Sequence, residues 1–234
     1  MLLQAAIRGF ASAPGTTMIA PLGVALTRRL SSVAMKVAEP TVKRRSSREE
    51  VVEQARSVGH KPTIRYALDV LGAQKSLLER ISLEDYKKID QRLEGSIAVH
   101  MRHSVAHFEA VLSSLSAPID DSDVDYDARP HFDENMEQSP ESAWERVCRV
   151  KDAVKALDDD ALSRPAVAKF MVSHDGHKET FATTVGRELA FAAHHGVHHN
   201  AIMAWIARDL GYHLGDDFGL NFATIRHKMD EGEL

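Results

Sequence analysis

The sequence predicts an all-α fold, a four-helix bundle carrying a flexible N-terminal extension. Apolar residues recur at helical spacing in four separate segments. Polar connections with recognisable cap residues divide those segments. Two-residue alternation, the mark of a half-buried strand, is nearly absent and shows weakly only at Ala168–Val172. The 234 residues, 44% hydrophobic and 27% charged, make one globular domain plus extensions. A net charge of -5 argues against a nucleic-acid partner, because phosphate binding calls for a basic surface. The single cysteine, Cys148, excludes an internal disulfide framework and a multi-cysteine zinc site. No apolar run approaches the roughly 18 residues of a membrane span, so no membrane partner is expected.

The first 38 residues differ from the rest. Arg8, Arg28, Arg29 and Lys36 meet no acidic residue before Glu39. Basic, acid-free and rich in Ser, Thr and Ala, residues 1–38 predict a mitochondrial transit peptide. The alternative is a cytoplasmic protein whose translation starts at Met18 or Met35. Residues 39–62 read as a linker. Its Lys43–Arg48 stretch is a solvated tether, and Ser47 with Glu50 fits a capping box for a short helix over 48–57.

The folded domain is expected over 63–234. Its first helix, 63–81, places Ile64, Ala67, Leu68, Leu71, Leu77 and Leu78 on one face. The second, 95–115, does so with Ile97, Met101, Val105, Phe108, Leu112 and Leu115. The acid-rich segment Asp120–Glu137 follows. Its alternate carboxylates resemble a calcium loop, but the required Gly at the sixth position and Glu at the twelfth are missing, so it reads as a solvated loop. The third helix, 140–157, starts with Ser139 as N-cap and Pro140 in the first turn. The fourth, 183–210, ends at Gly211, a natural C-terminal cap. Leu68, Phe108, Val147 and Ile202 are the expected core residues, one from each helix.

The 13 histidines carry the chemistry. His100, His103 and His107 share one stripe of the second helix, beside its apolar face. His195 and His199, four apart on the fourth helix, fall within the apolar stripe of Phe191, Ala192, Ile202, Ile206 and Leu210, while His194 and His198 fall on other faces. An unpaired polar ring on an apolar face costs roughly 1–3 kcal/mol, and metal ligation removes that cost. Two imidazoles at this spacing grip one transition-metal ion. The zinc-protease helix has a Glu after its first His; Gly196 stands there, which rejects that class. A third histidine from another helix completes a three-nitrogen site with an open position, the pattern of catalytic sites.

Beyond this spacing, the residues resemble the DinB-like family over about residues 63–225. The resemblance rests on Gly186-Arg187-Glu188-Leu189, then His195-Gly196-Val197-His198-His199-Asn200-Ala201, then Asp217-Phe218-Gly219-Leu220. Arg102-His103 with His107-Phe108, and Asp125-Tyr126-Asp127-Ala128-Arg129, also match an uncharacterised branch. It implies a four-helix bundle, often dimeric, with a divalent metal on one histidine of the second helix and two of the fourth. The implied ligands are His103, His195 and His199, with His107 the competitor for His103. Zinc, nickel and iron all suit the all-nitrogen shell. Arg187 and Glu188 are candidates to support the ligands from behind, against a plain helix ion pair; Tyr126, Asp127 and Arg129 read as loop packing. Some relatives run transferase or isomerase reactions with a low-molecular-weight thiol, which implies a small-molecule substrate. Asn221-Phe222-Ala223-Thr224 departs from the family's tail, where small residues and a proline are usual. Three functional classes stand at this point: a metal-dependent enzyme (a thiol-using transferase or a hydrolase), a non-catalytic metal-binding or structural helical protein, and a metal-free scaffold.

The targeting reading makes a direct prediction. Residues 1–38 fused to a fluorescent protein should carry it to mitochondria, whereas a full-length fusion that stays cytosolic refutes the transit-peptide reading.

Overall fold

A computed structural model describes residues 61–116, 118, 123–128 and 134–233. The predicted transit peptide at 1–38 and all but the last two residues of the predicted linker at 39–62 lie outside the described residues. In chain order the elements are α1 (Lys61–Leu78), α2 (Leu83–Lys87), α3 (Ile97–Ser114), β1 (Asp123–Asp125), α4 (Glu134–Gln138), α5 (Pro140–Lys155), α6 (Asp159–Ser163), β2 (Pro165–Met171), β3 (Lys178–Thr184), α7 (Val185–Asp209) and α8 (Phe222–Glu231).

The four long helices, α1, α3, α5 and α7, lie where the apolar periodicity places them. The starts of α3, α5 and α7 are set by local hydrogen bonding. Ser96 accepts from the Val99 amide, Ser139 from the amides of Glu141 and Ser142, and Thr184 from the Arg187 amide. Each cap satisfies amides that the first turn leaves without a partner. α3 packs on α7 and α5, and α1 packs on α5 and α7. Ala67, Leu71, Met101, Phe108, Val147, Leu189 and Met203 are fully buried between them. Of the four expected core residues, Phe108 and Val147 are fully buried, while Leu68 and Ile202 pack on the core from its edge.

Two features fix how α3 and α7 meet. A Cβ on Gly196 would stand 2.7 Å from Val70 Cγ1 and 3.4 Å from both Phe108 Cε2 and Ser104 Oγ, so α7 nests closer than any side chain there would allow. Beside it lies a fully buried polar link. Gln74 Nε2 donates to Ser104 Oγ at 2.7 Å and to Asn200 Oδ1 at 3.0 Å, and Asn200 Nδ2 donates to the Val70 carbonyl at 3.2 Å. Gln74 thereby ties α1 to α3 and α7 at once.

The fold is helix-rich with a small sheet, where the sequence predicted an all-α fold with only a weak strand pattern at Ala168–Val172, a stretch that overlaps β2. The sheet runs β1-β2-β3. β1 pairs with β2 in parallel, Val124 opposite Ala168, and β2 pairs with β3 antiparallel, Pro165 opposite Thr184 and Met171 opposite Lys178. Two properties hide these strands from a hydrophobicity pattern. The buried side chains of β2 are the small Ala166 and Ala168, and β3 buries none. β1 sits inside the acidic segment read as a solvated loop, yet its Val124 is fully buried. Lys169 and Lys178 neutralise its flanking Asp123 and Asp125. Asp175-Gly176 turns the hairpin, with Gly176 at φ 91° and Val172 N donating to the His177 carbonyl at 2.8 Å.

The chain after α7 folds back over it. Gly219 has φ 80°, and a Cβ there would stand 2.6 Å from Ala201 Cα, so the Asp217–Leu220 segment crosses α7 at a point only glycine admits. No described helix is long and apolar enough to cross a membrane.

Helix propensity alone favours Ala over Gly inside a helix by about 0.5–1 kcal/mol. At Gly196 the clash should reverse that sign. Gly196→Ala should lose about 1–3 kcal/mol through overpacking, read as a lower urea midpoint with an unchanged slope. An equal or higher midpoint would show that Val70 yields freely.

Candidate metal centre

The α3–α7 contact brings together histidines that are far apart in the sequence. One ligand-type nitrogen from each of His103, His107 and His195 lies within 4.8 Å of the others. The His107 and His195 rings stack at 4.0 Å between centroids, and His103 lies 5.2 Å from His195 and 4.8 Å from His199. His199 stands one turn beyond His195 on α7, with its Nε2 3.0 Å from His195 Nε2. Its other nitrogen, Nδ1, is 3.2 Å from Nδ1 of His100. All four residues named from the sequence, His103, His107, His195 and His199, therefore share one cluster, and His100 adjoins it. The exposed His194 is turned to the tail, its Nδ1 3.1 Å from Asn221 Nδ2.

The cluster is poised to stay neutral. Burial is the main cause holding His195 down to about 4, with His107 and His103 adding to it. His199 is pushed down to about 2, again chiefly by burial and then by His195. Burial also lowers His107 and His100. A neutral imidazole has one nitrogen lone pair to offer, so ligation near pH 7 need not displace a proton. For His107 the tautomer is defined: Nδ1 donates to the His103 carbonyl at 3.0 Å, which leaves the lone pair on Nε2. Such a bond at the far nitrogen is what orients ligating histidines in metal sites.

Behind the histidines sits a buried carboxylate. Glu188 is 0% exposed. Its Oε2 accepts from the Tyr126 hydroxyl at 2.7 Å, and its Oε1 accepts from Thr183 Oγ1 at 2.6 Å and Arg187 Nη1 at 2.7 Å. Three donors make the burial of this charge tolerable. Arg187 is itself mostly exposed and lies over the Phe191 ring. Burial, then the neighbouring Glu188, raises Tyr126 far above the usual phenol range, so it stays protonated and donates.

Tyr126 is the residue that sequence reasoning undervalued. It follows β1 directly and lines the cavity beside the histidines. Its ring stacks on His107 at 5.0 Å and 24° on one side and on Phe170 of β2 at 5.1 Å and 25° on the other. Only the strand pairing brings it there, and a strand of three residues in an acidic run gives little signal. Asp127 also takes a defined position, accepting from the Met171 amide. Arg129 lies outside the described residues.

A cavity of about 530 Å³ opens on the cluster, lined in part by His100, His103, His107, His199 and Tyr126. Its wall carries two arginines paired with carboxylates, Arg102 with Glu137 and Arg146 with Glu109. A cavity of this size accommodates a small molecule.

Comparison with known proteins adds the following. The DinB family model matches residues 56–226. The chain is also similar to FK506-binding protein 5 of Rhizopus delemar, at 29% identity over 107 residues that cover 44% of this chain and 27% of that protein. The matched region is thus about a quarter of the length of this curated relative. No solved structure matches the chain.

Removing the Glu188 carboxylate should expose how much the fold rests on it. Glu188→Ala strips the charged acceptor from Tyr126 and Thr183 and should lower stability by about 1.5–3 kcal/mol in urea unfolding. The exposed Arg187 adds little to that figure. Glu188→Gln keeps an acceptor at one of the two oxygen positions and presents an NH2 to the hydroxyl at the other, so it should lose less; equal losses would contradict the role given to these two bonds.

Proposed function

The chain belongs to the DinB family, and we propose on that footing that it binds one divalent metal ion through three histidines of α3 and α7. The observation that carries this is the convergence of His103, His107 and His195, with ligand-type nitrogens within 4.8 Å of one another. The donor set fits an ion. Neutral imidazoles from two rigid helices meet at a cavity wall, and at least one of them has its far nitrogen already hydrogen-bonded. His103 and His195 are ligands in this proposal. The third nitrogen is that of His199, one turn from His195, or of His107, stacked on it; Glu188 and Arg187 support the site from behind. The ion is zinc, nickel or iron.

We also read the four long helices as the family's bundle. When bound, the metal supplies a Lewis acid that makes a thiol or a water nucleophilic near neutral pH. The chain's own residues hold the ring nitrogens in place, shape a cavity for a small-molecule substrate, and place paired arginines on its wall. Within this reading the protein is a metal-dependent transferase or hydrolase that employs a low-molecular-weight thiol, works as a homodimer, and acts in mitochondria. One observation favours a second reading. With His100 the cluster holds five imidazoles, enough to close a four-ligand shell, and a closed shell suits a structural, non-catalytic site.

Elemental analysis of the purified chain decides these points. About one ion per chain is expected, lost in His195→Ala and kept in His194→Ala. Comparing His103→Ala, His107→Ala and His199→Ala identifies the remaining ligands. Full metal content in both His195→Ala and His199→Ala would sink the proposal, and an exchangeable water on the bound ion favours the enzyme over the structural reading.

A further inference from the structure

Four aromatic rings, from β2, the residue after β1, α3 and α7, form a continuous series that ends in the histidine cluster. Phe170 of β2 stacks on Tyr126 at 5.1 Å, Tyr126 on His107 at 5.0 Å, and His107 on His195 at 4.0 Å. The interplanar angles between neighbours are 25°, 24° and 30°, and these tilts add along the series, because Phe170 stands at 89° to Phe191 while Phe191 lies at 18° to His195. The stack is held at its centre. The Tyr126 hydroxyl reaches the fully buried Glu188, two turns before His195 on the same helix. The Tyr126 amide also donates to the Lys169 carbonyl at 3.4 Å, which extends the β1–β2 pairing by one residue.

We propose that Tyr126 is a positioning residue for the metal centre: tethered to Glu188, its ring fixes the planes of the His107 and His195 imidazoles and so the direction of their nitrogens. Resting on the metal reading above, this inference adds a residue that touches no ion. The hydrogen bond from His107 Nδ1 to the His103 carbonyl chooses the tautomer, but it leaves the ring free to rock about that bond. Stacking against two neighbouring rings, Tyr126 and His195, opposes that rocking. Phe191 closes the remaining side: it meets Tyr126 edge-on at 5.2 Å and lies nearly parallel to His195 at 18°. Simple core packing would also bury an aromatic ring here, but it would not require a hydroxyl aimed at a charged carboxylate on the ligand-bearing helix.

The test is metal affinity and ligand geometry, measured on the full chain with zinc competition and with the visible spectrum of the cobalt(II)-loaded protein. Mutation of groups that orient metal ligands typically costs about 10–100-fold in affinity. Tyr126→Leu, which removes platform and tether, should fall in that range and shift the cobalt bands. Tyr126→Phe keeps the ring and loses the tether; it should weaken zinc by a smaller factor, with a detectable spectral shift, in an apo protein that still folds but melts lower for want of one hydrogen bond to the buried Glu188. Glu188→Gln, still able to hydrogen-bond the hydroxyl, should stay closer to wild type than Tyr126→Phe. Should Tyr126→Leu fail to fold, Tyr126→Phe decides alone. Wild-type affinity within twofold and unchanged cobalt bands in the folded Tyr126 variants overturn this inference while leaving the metal reading standing. A wild-type chain that binds neither zinc nor cobalt overturns both.

Discussion

Everything at the site depends on how closely α7 approaches α3 and α1. The contact is set by an absence and by a link. Gly196 removes the side chain that would hold the helices apart at Val70 and Phe108. Gln74 then joins Ser104 to Asn200. Those residues directly follow His103 and His199, so the register that pairs the Gln74 NH2 also determines which histidines face each other. A buried amide NH2 left without partners costs about 1–3 kcal/mol, so sliding either helix by a turn is penalised even where the apolar packing adapts. Hydrophobic burial supplies the attraction between these helices, and the polar link supplies its address.

Electrostatics at the site follow from that closeness. Burial first, and then repulsion from the neighbouring histidines, keeps His195 and His199 neutral well below pH 7. The result is a group of rings with lone pairs to share and few protons to satisfy them. Glu188, a few residues up the same helix, shows the opposite solution. It is fully buried and saturated by Tyr126, Thr183 and Arg187. One end of α7 thus completes its polar contacts within the protein, while the middle presents nitrogens that face one another across a cavity wall. One buried polar group on α7 is thus paired within the protein, while its neighbours down the helix converge on one another.

The helices were legible because their period, caps and breaks agree. Ser96, Ser139 and Thr184 cap helices whose apolar faces recur at helical spacing, and each level of the pattern supports the others. The sheet left only the weak alternation at Ala168–Val172, for physical reasons specific to its strands. β2 buries two alanines, β3 buries no side chain, and β1 is three residues of an acidic run whose charge is cancelled by lysines far along the chain. The same division runs through the site. His195 and His199 stood out because they interrupt an apolar face. His103 and His107 could not be separated, since they share one stripe of α3, and the structure places nitrogens of both near His195. Tyr126 could not be found by periodicity at all, because its position is a product of non-local pairing.

That pairing gives the sheet a purpose in the architecture. β3 ends at Thr184, which pairs with Pro165 and also serves as the N-cap of α7, so strand and helix join without an intervening loop. Thr183, one residue earlier, hydrogen-bonds Glu188 in the first turn. The start of α7 is therefore a direct continuation of the sheet, and any shift of the hairpin shifts the helix that carries His195 and His199. On its far edge the sheet holds β1, and with it Tyr126, against His107. The sheet thus grips the histidine cluster at two points, through the backbone at α7 and through ring stacking at α3. A bundle alone could bring the histidines near one another. The strand insertion is what ties the ring planes on one helix to the starting point of the other, so that the two halves of the site move together.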